Sequence, residues 1–312
     1  MVYLDKFIIP NAEQEEKTIK RRMAENGGVL GYIDNIYPCG LFTKKELSRI
    51  DFEPLTILYG GNGSGKSTLL NLIAQKLELN RIAPFNSSEV FDIYRDVCTY
   101  EMGNDDEGFK LRVPNGSRII TSDDVFDYML TVRTNNSEIH EHIEQVRDND
   151  YGELKFGETV RLHGMEDYEQ LRLQVLSRRK SVSRRQFIRK TVGEEVKLNS
   201  NGETALRYFE EKLKNDTLYC LDEPENSLSP KLQLQLVEII RRMVRYCGCQ
   251  MIIATHSPFI LSIDGAKIYD LDSIPVALKK WWQLENVRIY YDFFSQYKNL
   301  FTKVTNATGD NT

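Results

Sequence analysis

Gly60-Gly61-Asn62-Gly63-Ser64-Gly65-Lys66-Ser67 is a complete phosphate-binding loop of the form G-x-x-x-x-G-K-[ST], and its flanks are those such a loop needs. A triphosphate is held by backbone N–H groups at the start of a helix, so the chain must leave a buried strand, curl, and open a helix. Leu55–Tyr59 is a short apolar, β-branched run suited to a central parallel strand. After the loop, Leu69, Leu70, Leu72, Ile73 and Leu77 recur at helical spacing from Ser67 to Leu79. The glycines let backbone approach oxygens closely. Candidate nucleotide-binding residues are therefore Gly60, Gly61, Asn62, Gly63, Ser64, Gly65, Lys66, Ser67 and Thr68. Lys66 supplies a point charge for the β and γ phosphates of ATP, and Ser67 a hydroxyl for Mg2+.

A second segment completes the chemistry. Leu218-Tyr219-Cys220-Leu221 is an apolar strand running into Asp222-Glu223-Pro224-Glu225, and doubly wound sheets carry their chemistry at that end of a strand. Pro230 starts a helix with Leu232, Leu236, Val237, Ile239, Ile240 and Met243 on one face. Gln250–Thr255 is another buried strand, ending at His256-Ser257-Pro258. Strand, helix and strand in short succession imply a parallel α/β sheet. Hydrolysis of ATP needs a metal on the phosphate oxygens, cationic groups for developing charge and a base in line with the attack. Asp222 is the candidate metal residue beside Ser67, Glu223 the candidate base, and His256 a donor that senses the γ-phosphate.

The remaining composition narrows the classes. At 312 residues and 41% hydrophobic content the chain can hold one large α/β domain or a core with a smaller lobe. A net charge of −5 gives no global pull toward nucleic acid or anionic membrane. No apolar run has transmembrane length and Met1–Pro10 lacks a secretory layout, so a cytoplasmic protein with no membrane contact is expected. Five scattered cysteines read as reduced core residues, Cys247-Gly-Cys249 included, and no zinc is expected. His140, His142 and His163 form no nuclease pattern.

These motifs, in this order, resemble the ABC-type ATPases: Walker A at Gly60–Ser67, Walker B with its glutamate at Leu218–Glu223, a D-loop-like Asn226-Ser227-Leu228-Ser229 and an H-loop at His256. The resemblance implies an α/β P-loop NTPase with a mixed, mainly parallel sheet, flanking helices, an antiparallel β subdomain and a helical insertion. The expected divisions are 1–124 for the first half of the core, 125–195 for the insertion and 196–312 for the second half. Asn199-Ser200-Asn201-Gly202-Glu203 stands where the family keeps its signature, which implies that Ser200, Gly202 and Glu203 of one copy close on the ATP of the other in a homodimer. The same residues also read as a turn capping a helix over 204–214. The motif forms look most like stand-alone ATPases of the SMC, RecF and overcoming-lysogenization-defect kind, phage-defence ATPases included, which implies a separate effector or nuclease. The Q-loop glutamine has no equivalent: Gln145, Gln170, Gln174 and Gln186 lie in the insertion, and residues 121–124 offer acids.

Three features stand outside that frame. The insertion carries a basic run that includes Arg178, Arg179, Lys180, Arg184 and Arg185. It reads as a backbone contact for DNA or RNA, a dock for an acidic partner, or a solvated face balanced by the acids of 138–150. Phe109–Val113 and Arg118–Thr121, joined by Pro114-Asn115-Gly116-Ser117, carry a hairpin signal. Val287, Tyr290, Tyr291, Phe294, Tyr297 and Phe301 recur at helical steps after Trp281-Trp282, as a stripe facing the core or, less commonly, a dimer or partner. The alternatives to a switching ATPase are the nucleotide-binding subunit of a membrane transporter and an ATP-sensing scaffold with little turnover.

Overall fold

The computed structural model describes residues 1–25, 36–85, 87–145, 155, 158, 167–178 and 200–301. They fall into two compact units, Met1–Val125 with Ala205–Thr312, and Phe126–Thr204.

The first unit opens with β1 (Leu4–Ile8), α1 (Ala12–Glu25), β2 (Arg49–Asp51) and β3 (Leu55–Tyr59). The loop leads into α2 (Lys66–Lys76), followed by α3 (Glu89–Val97), β4 (Thr99–Met102) and β5 (Arg118–Thr121). The chain then runs through α4 (Ser122–Gln145), α5 (Asp167–Arg178) and α6 (Asn201–Lys212), α4 and α6 being shared with the second unit. It closes with β6 (Leu218–Asp222), α7 (Pro230–Tyr246), β7 (Gln250–Ala254), α8 (Pro258–Leu261), β8 (Lys267–Asp270), β9 (Ala277–Leu278) and α9 (Glu285–Gln296).

All five residues of β3 and of β7 are buried, as continuous apolar strands inside a covered parallel sheet must be. The central sheet has the order β5-β6-β7-β3-β8-β9, parallel throughout except for β9. Register does the positioning. Leu58 of β3 and Asp222 of β6 both pair with Ala254 of β7, so three strands end level and their loops leave side by side. Against this sheet α7 buries Leu236, Val237, Ile239, Ile240 and Met243, each worth about 1.5–3 kcal/mol of burial.

A second, antiparallel sheet has the order β2-β1-β4. The fully buried Gln250 ties the two sheets: its Oε1 accepts from the N–H groups of Tyr3 and Leu4, both at 2.8 Å, and its Nε2 donates to the Leu4 carbonyl at 2.8 Å. A polar side chain at a strand start is tolerated in the core because every arm is bonded.

Two expectations are corrected. The turn before Ser117 forms, with Gly116 at φ +88° and Ser117 N–H bonded to the Pro114 carbonyl, but it does not join a hairpin. Residues 109–113 contribute only the bridge Asn104↔Lys110, and Arg118–Thr121 joins β6 in parallel. Ile119 and Ile120 point to opposite faces and both are 2% exposed, so both faces of β5 are covered although it is the edge strand of the central sheet. The aromatic stripe is the other correction: Val287 is buried, but residues 288–301 are exposed throughout.

Candidate functional site

The loop after β3 is shaped by contacts that only glycine permits. A Cβ on Gly60 would lie 2.5 Å from the Ser64 hydroxyl. Gly65 caps α2 at φ +99°, where a Cβ would also press on Leu41 and Phe42 at 3.1 and 3.2 Å. Lys66 is buried, and its ammonium donates to the carbonyls of Gly60 at 2.7 Å and Gly61 at 3.1 Å, with Glu223 at 3.8 Å. Thr68 turns its hydroxyl to that of Tyr37, while Asn62 and Gly63 face solvent.

Opposite the loop, Ser67 Oγ donates to Asp222 Oδ1 at 3.1 Å. Burial, with the neighbouring Glu223 charge adding to it, pushes the Asp222 carboxyl up to about 6 despite the Ser67 bond. Glu223 sits in the left-handed region at φ +47°, a conformation that costs on the order of 1–3 kcal/mol and clusters at functional sites. It is held there by its N–H on the Ala254 carbonyl at 2.9 Å and by Asn226 Nδ2 on Oε2 at 3.2 Å. His256 Nδ1 lies 3.7 Å from Glu223 Oε1. The strand register thus brings Lys66, Ser67, Asp222, Glu223 and His256 to one edge of the sheet.

Glu225 and Asp272 complete this edge, and neither stands out in the sequence. Glu225 is 5% exposed, and its Oε1 accepts from Thr255 Oγ1 at 2.5 Å and from the N–H groups of His256 and Ser257, both at 3.1 Å. It fixes the backbone that carries His256. Ser257 Oγ continues the network by donating to Gln233 Oε1 at 2.7 Å, and Gln233 Nε2 donates to the Leu228 carbonyl at 3.0 Å, so the D-loop-like turn and the H-loop share one chain of bonds. Asp272, just past β8, takes the Gly61 N–H at 2.7 Å. Neither pairing has a sequence signal, because the partners are 30 and 211 residues apart.

The donor set fits a magnesium nucleotide. A hydroxyl and a carboxylate are hard oxygen ligands of the kind Mg2+ takes together with phosphate. The raised Asp222 carboxyl is that of a buried acid short of positive charge, which a cation there would relieve.

The signature-like segment belongs to the second unit up to Thr204 and forms a reciprocal cap on α6. Glu203 Oε2 accepts from the Ser200 N–H at 2.9 Å and from Ser200 Oγ at 3.0 Å, and Glu203 N–H returns to Ser200 Oγ at 3.4 Å. Gly202 is buried. The capping reading of these residues is therefore realised, and the cap presents a helix N-terminus. Of the glutamines weighed for a Q-loop, Gln174 is buried and donates to the Glu158 carbonyl at 2.7 Å, and the side chain of Gln145 and all of Gln186 lie outside the described residues, as does the side chain of Gln170. Asp124, in the acidic stretch 121–124, is spent on Thr121 and on the Ala83 N–H. Of the basic run, Arg178 ends α5, while Arg179, Lys180, Arg184 and Arg185 lie outside the described residues.

Residues 204–262, from within α6 to just past α8, match the family described as "AAA domain, putative AbiEii toxin, Type IV TA system". With the loop on β3, the acids on β6 and the histidine strand between them, the fold is decided. The chain has an α/β P-loop NTPase fold. An uncharacterized ABC transporter ATP-binding protein/permease of Saccharomyces cerevisiae is 29% identical over 223 residues, which are 69% of this chain and 15% of that protein. The chain thus spans about 15% of the length of the curated relative it matches. Among solved structures, the ATP-binding cassette MJ0796, dimeric in a post-hydrolysis state with ADP and Pi, overlays at 15% identity, covering 75% of this chain and 90% of that one with a TM-score of 0.33. The SmcHead bound to the C-winged helix domain of ScpA gives 14%, 74%, 93% and 0.37. Overlays this loose add nothing to the strand order and loop geometry, which carry the assignment. No helix among the described residues is long and apolar enough to cross a membrane.

Proposed function

We propose that this chain binds and hydrolyses ATP, that two copies close around two ATP molecules, and that hydrolysis reopens them to drive a separate effector or a nucleic acid. The observation that carries the reading is the convergence of Lys66, Ser67, Asp222, Glu223 and His256 at one carboxyl edge. On ATP arrival the Lys66 ammonium exchanges the Gly60 and Gly61 carbonyls for the β and γ phosphates, a trade of neutral acceptors for charged ones. Glu223 orients the attacking water and takes its proton, and Asn226 keeps the carboxylate aimed. His256, on the backbone that Glu225 fixes, donates to the γ-phosphate. Ser67 and Asp222 would hold a Mg2+ ion, which would supply the charge neutralisation that phosphoryl transfer requires.

The capped start of α6 is suited to meeting the other copy's γ-phosphate, since its N–H groups and Ser200 hydroxyl are anion donors. Glu223→Gln is expected to trap an ATP-bound dimer and Lys66→Ala to prevent one. The same sedimenting mass with and without ATP in both variants sinks the sandwich. Action in phage defence through an effector draws support from the AbiEii toxin named in the family description. The yeast relative favours a second reading, the nucleotide-binding subunit of a transporter, which purification with an integral membrane partner would establish.

A further inference from the structure

From Arg288 onward α9 and the turn that extends it to Phe301 have no cover among the described residues, yet they carry a dense run of exposed apolar side chains. At 100° per residue, Ile289, Tyr290, Phe293, Tyr297, Leu300 and Phe301 fall with Phe294 on one stripe, and the seven are 46–58% exposed. The rings already pack along the stripe, Phe293 edge-on to Phe294 at 5.4 Å and tilted against Tyr297 at 5.2 Å, and Phe294 edge-on to Phe301 at 6.0 Å. Charge is kept to the back of the helix, where Arg288 reaches Asp292 at 3.7 Å and lies over Tyr291 at 5.0 Å. Monomeric proteins rarely leave such a surface open.

Two observations name the occupant. The first is self-complementarity. Counted from Ser295, apolar residues stand six positions away at Ile289 and Phe301, five away at Tyr290 and Leu300, and two away at Phe293 and Tyr297. Apart from Phe294, whose mate is Gln296, the stripe reads the same in both directions, as an isologous, antiparallel contact requires, because each residue then meets its mate across the two-fold axis. The second is area. With roughly 200 Å² per large side chain and half of it exposed, seven residues offer ~700 Å² per copy, or ~1,400 Å² for a pair. Stable interfaces bury about 1,200–2,000 Å² in all.

We propose that α9 is a homotypic assembly helix: two copies of this chain join through antiparallel α9 stripes about an axis level with Ser295, without nucleotide. The contact is separate from any closure around ATP and does not rest on it.

The full chain, free of nucleotide, is expected to sediment as a dimer at micromolar concentration. Phe293→Glu combined with Tyr297→Glu is expected to give a monomer, and because both side chains are exposed the dilute protein keeps its melting temperature. A wild-type monomer overturns the proposal and hands the stripe to another partner, and a dimer that survives the double substitution overturns it equally. Geometry is tested by cysteine pairing. Antiparallel packing sets Ile289 level with Phe301 of the other copy but separates the two Ile289 positions by ~18 Å along the axis, beyond the ~7 Å reach of a disulfide. Ile289→Cys mixed with Phe301→Cys is expected to cross-link on oxidation, and Ile289→Cys alone is not; wild-type protein sets the background from Cys39 and Cys247, the native thiols that are not fully buried. A link in Ile289→Cys alone, or none in the mixture, overturns the antiparallel pairing.

Discussion

The carboxyl edge of the central sheet and the C-terminal helix α9 are both rich in apolar residues at regular spacing, and they end in opposite conditions. At the sheet edge β3, β6 and β7 are sealed on both faces, and the polar groups that emerge are tied to one another. On α9 the stripe lies open from residue 288. Periodicity states that a face needs covering. It does not state by what, and only the connectivity of the sheet supplies the cover in the first case.

The largest expected effect separates the two regions by chemistry. Glu223→Gln should lower steady-state ATP turnover by on the order of 10²–10⁴-fold, the usual contribution of a positioned base, while Tyr291→Ala on the back of α9 should leave turnover within error. Phosphate release under saturating ATP measures both. Turnover of the Glu223 variant near wild type would remove the base from the account. Next comes a matched pair of phenylalanines. Phe209 is fully buried and Phe294 is 52% exposed. Phe209→Ala should cost about 3–5 kcal/mol of unfolding free energy, whereas Phe294→Ala should stay within about 0.5 kcal/mol when dilute protein is titrated with urea. Equal losses would show that α9 is covered within its own chain.

What was legible in the sequence follows the same division. The phosphate loop and Asp222-Glu223 could be read because their geometry is written in consecutive residues: a strand, a curl and a helix for one, a strand end for the other. Gly60 and Gly65 stand where a side chain would collide. Glu225 was visible as a residue but not as a clamp, since its donors at Thr255, His256 and Ser257 depend on β6 lying beside β7. Tyr37 and Asp272 reach the loop in the same way, through topology. Asn115-Gly116 misled for the converse reason: the turn it encodes is local and forms, but the strand after it takes its partner from the burial of Ile119 and Ile120.

A third test probes that clamp. Glu225→Ala leaves the buried Thr255 hydroxyl and the His256 N–H without their acceptor, the Ser257 N–H keeping only Thr255 Oγ1 at 3.0 Å, and should cost about 3 kcal/mol. Thr255→Val, which removes one donor and leaves the other two bonded, should cost about 1 kcal/mol. Because the two N–H groups set where His256 lies, Glu225→Ala should depress turnover more than Thr255→Val even in protein kept fully folded by low temperature. Equal turnover in the two variants would reduce Glu225 to a packing role.

The smallest effect contrasts two ion pairs. Asp270, at the end of β8, is buried and accepts from Lys279 at 2.6 Å, from Ser273 Oγ at 2.6 Å and from the Asp272 N–H at 3.0 Å. Burial works to raise its carboxyl, but the Lys279 and Ser273 bonds and the Asp272 N–H outweigh it and hold it below the ordinary 3.8. A depressed folded value means that the unfolded chain takes up the proton first as acid is added. The stabilisation is therefore complete above about 3.8 and drains away as pH falls through the lower folded value. Lys279→Gln should cost about 1 kcal/mol near neutrality, and the gap from wild type should close below that pH in thermal melts. Arg288 and Asp292 on α9 stand 3.7 Å apart in open solvent, a pair worth roughly 0–1 kcal/mol and screened by salt. Arg288→Gln should leave the melting curve of dilute protein unchanged at every pH, and a gap from Lys279→Gln equally indifferent to pH would show that Asp270 draws nothing from its burial beside the loop-holding Asp272.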